Sequence, residues 1–345
     1  MKMNLLSLTL PELEGRMAEL GQPRYRAGQI FEQLHRGVAP RDMTNLPLAL
    51  REVLMADYHL PAVARKLVSA VDGTIKYLFS LSDGNCVESV LMQYKHGVTI
   101  CLSTQVGCRM GCAFCASTIG GKVRDLEAGE LIGQILAAQA DSGLRVGGIV
   151  LMGIGEPLDN YDNVLRFLRL VGDPKGLNIG YRHISLSTCG LCDKIARLAE
   201  EDLPITLSIS LHAPDDETRS ALMPVNRKWG IDTLLSTCRD YWNKTGRRIS
   251  FEYTLIAGEN DSPAQAEKLA ERLNRGLRSR TETMPIHVNL IPVNPVGERQ
   301  FSASDGRAIK AFAAVLEKRG IRATVRRKLG SDIDASCGQL RRGEV

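Results

Sequence analysis

The spacing of apolar positions changes twice along this chain. Over the first sixty residues it is helical. "RYRAGQIFEQLHRG" sets Ile30, Phe31 and Leu34 at spacings of three and four and closes on glycine, and "PELEGRMAELG" behaves likewise. From residue 61 the period shortens to two. "AVARKLVSAVDGTIKYLFSLSDGNCVESVLM" alternates and is broken by Asp72-Gly73 and Asp83-Gly84, dipeptides suited to tight hairpin turns.

From about residue 97 the rhythm is strand, loop, helix. The strands are "TICLST", "GGIVLMG", "HISLST", "ITLSISL", "ISFEYTLI" and "IHVNLIP". Helical patterns over 127–141, 160–171, 190–201, 230–243 and 263–277 lie between them. A last helix, 304–319, leads to the strand "RATVRR". This alternation predicts an α/β fold, a parallel sheet with right-handed crossovers closing into an open or partial (β/α)6 barrel. The expected divisions are a helical domain over 1–60, an antiparallel β extension over 61–96, the barrel over 97–327 and a mobile tail over 328–345. Reactive groups of a barrel gather at the carboxyl ends of its strands. Cys108, Glu156, Ser187, Ser210, His212 and Asn294 all fall there.

Composition narrows the class. The 345 residues are 44% hydrophobic and 24% charged, ordinary for a globular protein with a large core. No apolar run approaches the roughly 18 residues of a membrane span, and no secretory pattern opens the chain. A cytoplasmic, monomeric protein with no membrane partner is expected. The net charge of +5 is too small to establish nucleic-acid binding. Two clusters could neutralise phosphates: Arg319, Arg322, Arg326, Arg327 and Lys328, and the helically spaced Arg272, Arg275, Arg278 and Arg280. A solvated face is the plain alternative for either.

Nine cysteines in such a chain read as metal or catalytic chemistry rather than as disulfides. The sharpest signal is "GCRMGCAFCAS", with Cys108, Cys112 and Cys115 spaced x3 and x2. Three thiols cannot all pair off, and a structural zinc site wants a fourth ligand. An iron–sulfur cluster takes thiolates from such a loop, and three ligands leave one iron open. This spacing, with Phe114 before the third cysteine, resembles the signature of radical S-adenosylmethionine enzymes. The resemblance implies one [4Fe-4S] cluster on the three cysteines and S-adenosylmethionine on the open iron.

The same resemblance assigns the cofactor contacts. "GGIVLMGIGEPLDN" is no dinucleotide fingerprint, because Leu158 stands where a third glycine is needed. It matches the loop that meets the cofactor's amino group, which implicates Gly155 and Glu156. A carboxylate there pairs naturally with an ammonium. Beyond the resemblance, Ser187 offers a hydroxyl for the carboxylate or ribose, the run Ser210-Leu211-His212 offers a hydroxyl and an imidazole, and Asn294 offers an amide for an adenine edge or a ribose; a lone histidine after a strand also reads as structural. Cys189-x2-Cys192 lacks a partner pair and reads as packing, as do Cys86 and Cys238.

Two further cysteines acquire meaning only together. "RAGQI", "ICLSTQVGCRMGCAFCAST", "GIGEPLDN", "SLHAPDDETR", "LMPVNRKW", "VNLIPVNP" and "DIDASCGQL" resemble, in order and spacing, the ribosomal RNA adenine-C2 methyltransferases of the RlmN/Cfr family. Adenine C2 is an sp2 carbon without useful nucleophilicity, so a radical route is required. The resemblance implies that one S-adenosylmethionine methylates Cys337 and a second generates an adenosyl radical, making two per turnover. The radical takes a hydrogen atom from that methyl group, the methylene adds to the base, and Cys101 frees the product by forming a disulfide with Cys337. Glu88 matches the residue assigned as proton acceptor. Implied partners are 23S ribosomal RNA and an electron donor such as flavodoxin with its reductase, with transfer RNA left open as a second substrate. The target base must leave its stack. The rival within the family is C8 methylation, which gives antibiotic resistance; Pro157, where that branch has alanine, favours C2. The rival outside it is a non-catalytic RNA-binding zinc protein.

Overall fold

The computed structural model describes residues 4–278 and 284–341. Three short helices come first: α1 (Leu10–Glu19), α2 (Tyr25–His35) and α3 (Leu48–Met55). Thr9 and Glu12 close a capping box at the start of α1. Ile30, Phe31 and Leu34 are buried as their spacing predicts. This unit docks on the barrel through close approach at a glycine. The Gly129 N–H donates to the Ser7 hydroxyl at 2.8 Å, and a Cβ at Gly129 would stand 2.7 Å from that oxygen.

Among the described residues the main sheet has ten strands. Strands β1 (Ala62–Val68), β2 (Ile75–Ser80) and β3 (Cys86–Tyr94) form an antiparallel meander. Its turns hold Gly73 and Gly84 at positive φ, where an Asp-Gly turn needs them. β3 then pairs antiparallel with β4 (Gly97–Cys101), the first barrel strand. The β extension and the barrel are therefore one continuous sheet.

Beyond β4 the sheet is parallel. It runs through β7 (Val146–Leu151), β8 (Ile184–Thr188), β9 (Thr206–Ser210), β10 (Ile249–Leu255), β11 (His287–Pro292) and the short β12 (Arg322–Val325). The strands are joined by α4 (Ala128–Ser142), α5 (Tyr161–Gly172), α6 (Cys192–Leu198), α7 (Asp216–Leu222) with α8 (Ile231–Thr245), α9 (Pro263–Leu277) and α10 (Gly306–Lys318). Six βα units plus a closing strand make the partial (β/α)6 barrel that the alternation predicts. Burial follows: all seven residues of β10 are buried, as expected for a central parallel strand.

Three elements escaped the sequence pattern. A two-stranded hairpin, β5 (Gln105–Gly107) and β6 (Lys122–Asp125), flanks the cysteine loop. Helix α7 is seven residues long, too short for periodicity to show, and α6 is shorter than its expected span of 190–201. No described helix is long and apolar enough to cross a membrane.

Candidate active site

The cysteine loop begins where β5 ends. Gly107 has φ +75°, and a Cβ there would lie 1.9 Å from the Gly121 carbonyl oxygen, so only glycine permits the hairpin. The loop is then tied on several sides. The Ala113 N–H donates to the Leu222 carbonyl at the end of α7 (2.8 Å) and the Ala116 N–H to the Gly338 carbonyl (2.8 Å). The Thr118 hydroxyl reaches the carbonyls of Cys112 and Cys115. Asp159 anchors the outer side through Arg109, Lys122 and Gln105.

Cys108, Cys112 and Cys115 line one cavity at the carboxyl ends of the strands. Gly155, Glu156, Ser187, Ser210, His212, Asn294 and Cys337 line the same cavity. Leu211 does not face it; its side chain is buried and its backbone N–H binds the Glu252 carbonyl. Glu88 is not among the lining residues either.

The donor set fits an iron–sulfur cluster. All nine cysteines lie among the described residues and all are free thiols. Burial pushes the Cys108 thiol up to about 12 and raises Cys112 and Cys115 as well. Three thiols poorly disposed to ionise alone, facing one cavity, suit a cationic iron core that stabilises the thiolates. Among the described residues no three His, Cys, Asp or Glu side chains converge on a single metal-ion position. A cluster does not ask for that, because each thiolate binds a different iron.

The cofactor-side groups are held firmly. Glu156 is 4% exposed. Its two oxygens accept the backbone N–H groups of Cys189 (2.7 Å) and Leu158 (3.0 Å), while burial raises its pKa. An ammonium arriving beside this carboxylate would offset that desolvation. Gly155, with φ +105°, lets the loop press on Gln105: a Cβ would stand 2.7 Å from the Gln105 Cβ. His212 also has positive φ, +56°. Its Nδ1 accepts the Thr254 N–H at 2.8 Å, which places the proton on Nε2. Burial lowers its pKa to about 3, and its ring meets Phe114 in a T-shaped contact with 5.0 Å between centroids. It is a neutral wall of the cavity.

The carboxyl-terminal segment is docked. The expectation for 328–345 was a mobile tail without a core; residues 342–345 lie outside the described residues, and the rest is bound down. Asp332 accepts from the Ser69 hydroxyl and the Ala70 N–H, and the Gly330 N–H donates to Asp72. The Ser117 hydroxyl donates to the Leu340 carbonyl. Ala335 and Leu340 are buried. Glu88 is part of this clamp. Its carboxylate pairs with Lys76 at 2.8 Å and accepts the Arg341 N–H at 2.9 Å, and Lys76 also donates to the Asp334 carbonyl.

This docking puts Cys337 in the cavity wall, with its carbonyl accepting from the Asn294 amide at 3.0 Å. Burial pushes the Cys101 thiol up to about 12, and the neighbouring Cys337 adds to the shift while Arg326 opposes it. Cys337 likewise adds to the burial that raises Cys115. Cys337 is thus close enough to both Cys101 and Cys115 to influence their charge; Cys101 is not among the residues lining the cavity, and Cys101 and Cys337 are separate thiols in this structure. A second, smaller cavity shares Asn294, Arg326 and Cys337 with the first and is lined further by Tyr94, Arg327 and Lys328.

The basic clusters largely dissolve into local bonds. Arg272 pairs with Asp216 and Asp232, Arg278 donates to the Gly320 carbonyl and Arg319 pairs with Glu267. Arg280 lies outside the described residues. Arg326 turns inward, 25% exposed, with both terminal nitrogens 3.5 Å from the Met152 sulfur. Arg322, Arg327 and Lys328 remain on the surface. Sequence reasoning also passed over Arg219, in the quoted "SLHAPDDETR" run, which proves fully buried. Cys192, Cys86 and Cys238 are buried and outside the cavity lining, whereas Cys189, also buried, lines the cavity.

Comparison with known proteins bears on this arrangement. The Radical SAM superfamily model matches residues 102–270. A curated protein of Clostridium tetani, named "Probable dual-specificity RNA methyltransferase RlmN", is 50% identical over 345 residues, covering 99% of this chain and 97% of its own. One of the same name from Alkaliphilus oremlandii is 52% identical and covers 99% and 98%. The crystal structure of a radical SAM methyltransferase from Sphaerobacter thermophilus superposes with a TM-score of 0.92 at 46% identity, covering 98% of this chain and 99% of that one.

Proposed function

This chain belongs to the RlmN family of radical S-adenosylmethionine RNA methyltransferases, and from that premise we propose that it methylates C2 of an adenosine in 23S ribosomal RNA, with the adenosine 3′ of a transfer RNA anticodon as a second substrate. One observation carries the reading. Cys337 shares a cavity with the three loop cysteines and Glu156, and it lies beside Cys101. A zinc-binding module without catalysis would give Cys337 no reason to line that cavity.

A [4Fe-4S] cluster on Cys108, Cys112 and Cys115 would supply the single electron that cleaves a bound S-adenosylmethionine. The protein's own groups do the rest. Glu156 receives the ammonium of the methionine moiety. Ser187 and Ser210 offer hydroxyls at the strand ends, and the Asn294 amide reads an adenine edge or a ribose with its oxygen while its nitrogen holds the Cys337 backbone. Cys337 carries the methyl group as a thioether and presents it to the target base. Once that carbon is bonded to C2, the Cys101 thiolate attacks the Cys337 sulfur, the sulfur–carbon bond breaks, the carbon takes up a proton to become the methyl group, and the Cys101–Cys337 disulfide left behind is reduced by an external thiol before the next turnover. Burial keeps Cys101 protonated at rest, and Arg326 beside it provides the positive charge that favours ionisation. Glu88 could accept the C2 proton only after release from Lys76 and Arg341, so in the docked state its role is to clamp the tail. Two S-adenosylmethionines per turnover follow from this division of labour. A flavodoxin-type donor would supply the electron, and a cytoplasmic monomer fits such chemistry.

RNA would be held by phosphate contacts and shape, through the exposed Arg322, Arg327 and Lys328 and the helical unit. Nucleoside mass analysis of RNA treated with the reconstituted enzyme tests the reading. 2-Methyladenosine is the expected product, and 8-methyladenosine alone would overturn the choice of C2. Cys101→Ala should trap a covalent protein–RNA adduct through Cys337, and Cys337→Ala should cleave S-adenosylmethionine slowly without transferring methyl.

A further inference from the structure

Arg219, in α7, has the largest fully buried side chain among the described residues, at 0% exposure. Burying a guanidinium without an anion is costly, and such groups are normally paired. Among the described residues none of its hydrogen bonds goes to a carboxylate. Its Nη2 donates to the carbonyls of Cys189 (2.6 Å) and Ser210 (3.1 Å), its Nε to the Leu211 carbonyl (3.2 Å) and its Nη1 to the Asn226 side-chain oxygen (2.9 Å). The nearby Asp216 is already engaged by Arg272 and by the Ile231 N–H. Thiols supply the remaining groups of potential negative charge around Arg219: Cys112, Cys189 and Cys192.

These bonds join the two loops that carry the cofactor contacts. The Cys189 N–H holds Glu156, and the Cys189 carbonyl is held by Arg219. Ser210 and the backbone leading to His212 are held by the same guanidinium. On the other side, α7 ends at Leu222, whose carbonyl accepts the N–H of Ala113, between the second and third cluster cysteines. One buried fork therefore fixes the carboxylate, the hydroxyl and the cysteine loop relative to one another. A thiolate-ligated cluster held by Cys112 would bring further negative charge to this guanidinium, beyond the partial influence of Asp216.

We propose that Arg219 is a positioning residue with two separable effects: its fork aligns the Glu156 and Ser210 loops for S-adenosylmethionine, and its fixed charge stabilises the reduced cluster. The inference rests on the cluster reading above. A positive charge in a poorly solvated setting favours addition of an electron nearby and raises the reduction potential. A fork that pre-aligns two loops lowers the ordering cost of ligand binding.

The experiment uses the full chain, reconstituted anaerobically, with two variants. Arg219→Lys keeps the charge and loses the fork. Arg219→Gln loses both. S-adenosylmethionine affinity is measured by equilibrium dialysis and the cluster midpoint by EPR-monitored titration. Both variants should bind the cofactor about tenfold more weakly. The midpoint should fall in Arg219→Gln and stay at the wild-type value in Arg219→Lys. Wild-type affinity in both variants would overturn the alignment, and an unchanged midpoint in a folded Arg219→Gln would overturn the charge effect. If Arg219→Gln does not fold, Arg219→Lys decides: weaker binding with a retained midpoint supports the proposal, and unchanged binding or a lowered midpoint overturns it. Wild-type protein that takes up no iron would instead sink the cluster reading itself.

Discussion

The side-chain amide of Asn294, just past β11, donates to the carbonyl oxygen of Cys337 at 3.0 Å, so a barrel strand end directly holds the backbone of the proposed methyl carrier. One hydrogen bond of this kind contributes about 1 kcal/mol, roughly a fivefold change in an equilibrium. Asn294→Ala should therefore expose Cys337 to anaerobic alkylation several-fold faster. Asn294→Asp should do so more strongly, because a carboxylate oxygen would face the carbonyl. Mass spectrometry of timed alkylation reads both, and equal rates in wild type and Asn294→Asp would show that the bond does not hold the segment.

The Lys76–Glu88 pair is the second fastening, with both side chains close to 10% exposed. Removing one partner of a buried pair leaves an uncompensated charge, at a cost of about 3–5 kcal/mol. The local response available is release of the segment that Glu88 holds through the Arg341 N–H. Glu88→Gln and Lys76→Met should both raise hydrogen exchange across residues 334–341 while the barrel strands stay protected. If Glu88 also accepts the C2 proton, Glu88→Gln alone should accumulate the protein–RNA adduct. Adduct from both variants or from neither would assign Glu88 to the clamp only.

His212 makes a pH prediction. Its pKa in the folded protein is lowered from 6.5 to about 3, chiefly by burial. Between those values the unfolded chain binds the proton and the folded chain does not. The stability contribution is therefore complete above pH 6.5 and declines as pH falls toward 3. Asn tolerates positive φ and its side-chain oxygen can accept the Thr254 N–H, so His212→Asn should fold and lose this part of the acid sensitivity. His212→Val is β-branched at φ +56° and should cost about 1–3 kcal/mol at any pH. Urea midpoints at pH 5 and pH 8 separate the two; an identical pH dependence in wild type and His212→Asn would show that His212 does not carry it.

Two neighbouring glycines separate conformational strain from collision. Gly120 has φ +81° with nothing within 4 Å of an added Cβ, whereas at Gly107 the Cβ would meet the Gly121 carbonyl at 1.9 Å. Gly120→Ala should cost about 1–2 kcal/mol and still bind iron. Gly107→Ala must displace the hairpin that starts the cysteine loop and should lose most of its iron and sulfide on reconstitution. Full iron content in Gly107→Ala would mean the hairpin is dispensable.

Local pattern determined much of this protein. The 3.6-residue and 2-residue periods located the helical unit, both Asp-Gly hairpins and the six βα repeats, because each depends on neighbours in the chain. The x3 and x2 spacing of Cys108, Cys112 and Cys115 was legible for the same reason, since a single loop carries all three. Tertiary structure decided what distant groups do. Arg326 and Arg272 look alike in sequence, yet one enters the cavity and the other pairs with Asp216 and Asp232. The segment around Cys337 reads as a polar tail, but its polar residues are the means of attachment: Asp332 to Ser69, Asn294 to Cys337, Glu88 to Arg341. Arg219 shows the limit most clearly. A charged residue on a short helix predicts exposure, and only the convergence of carbonyls from two strand ends makes a buried site that a guanidinium can satisfy. Periodicity reports which face of an element is apolar; it carries no information about which polar groups another element brings to meet it.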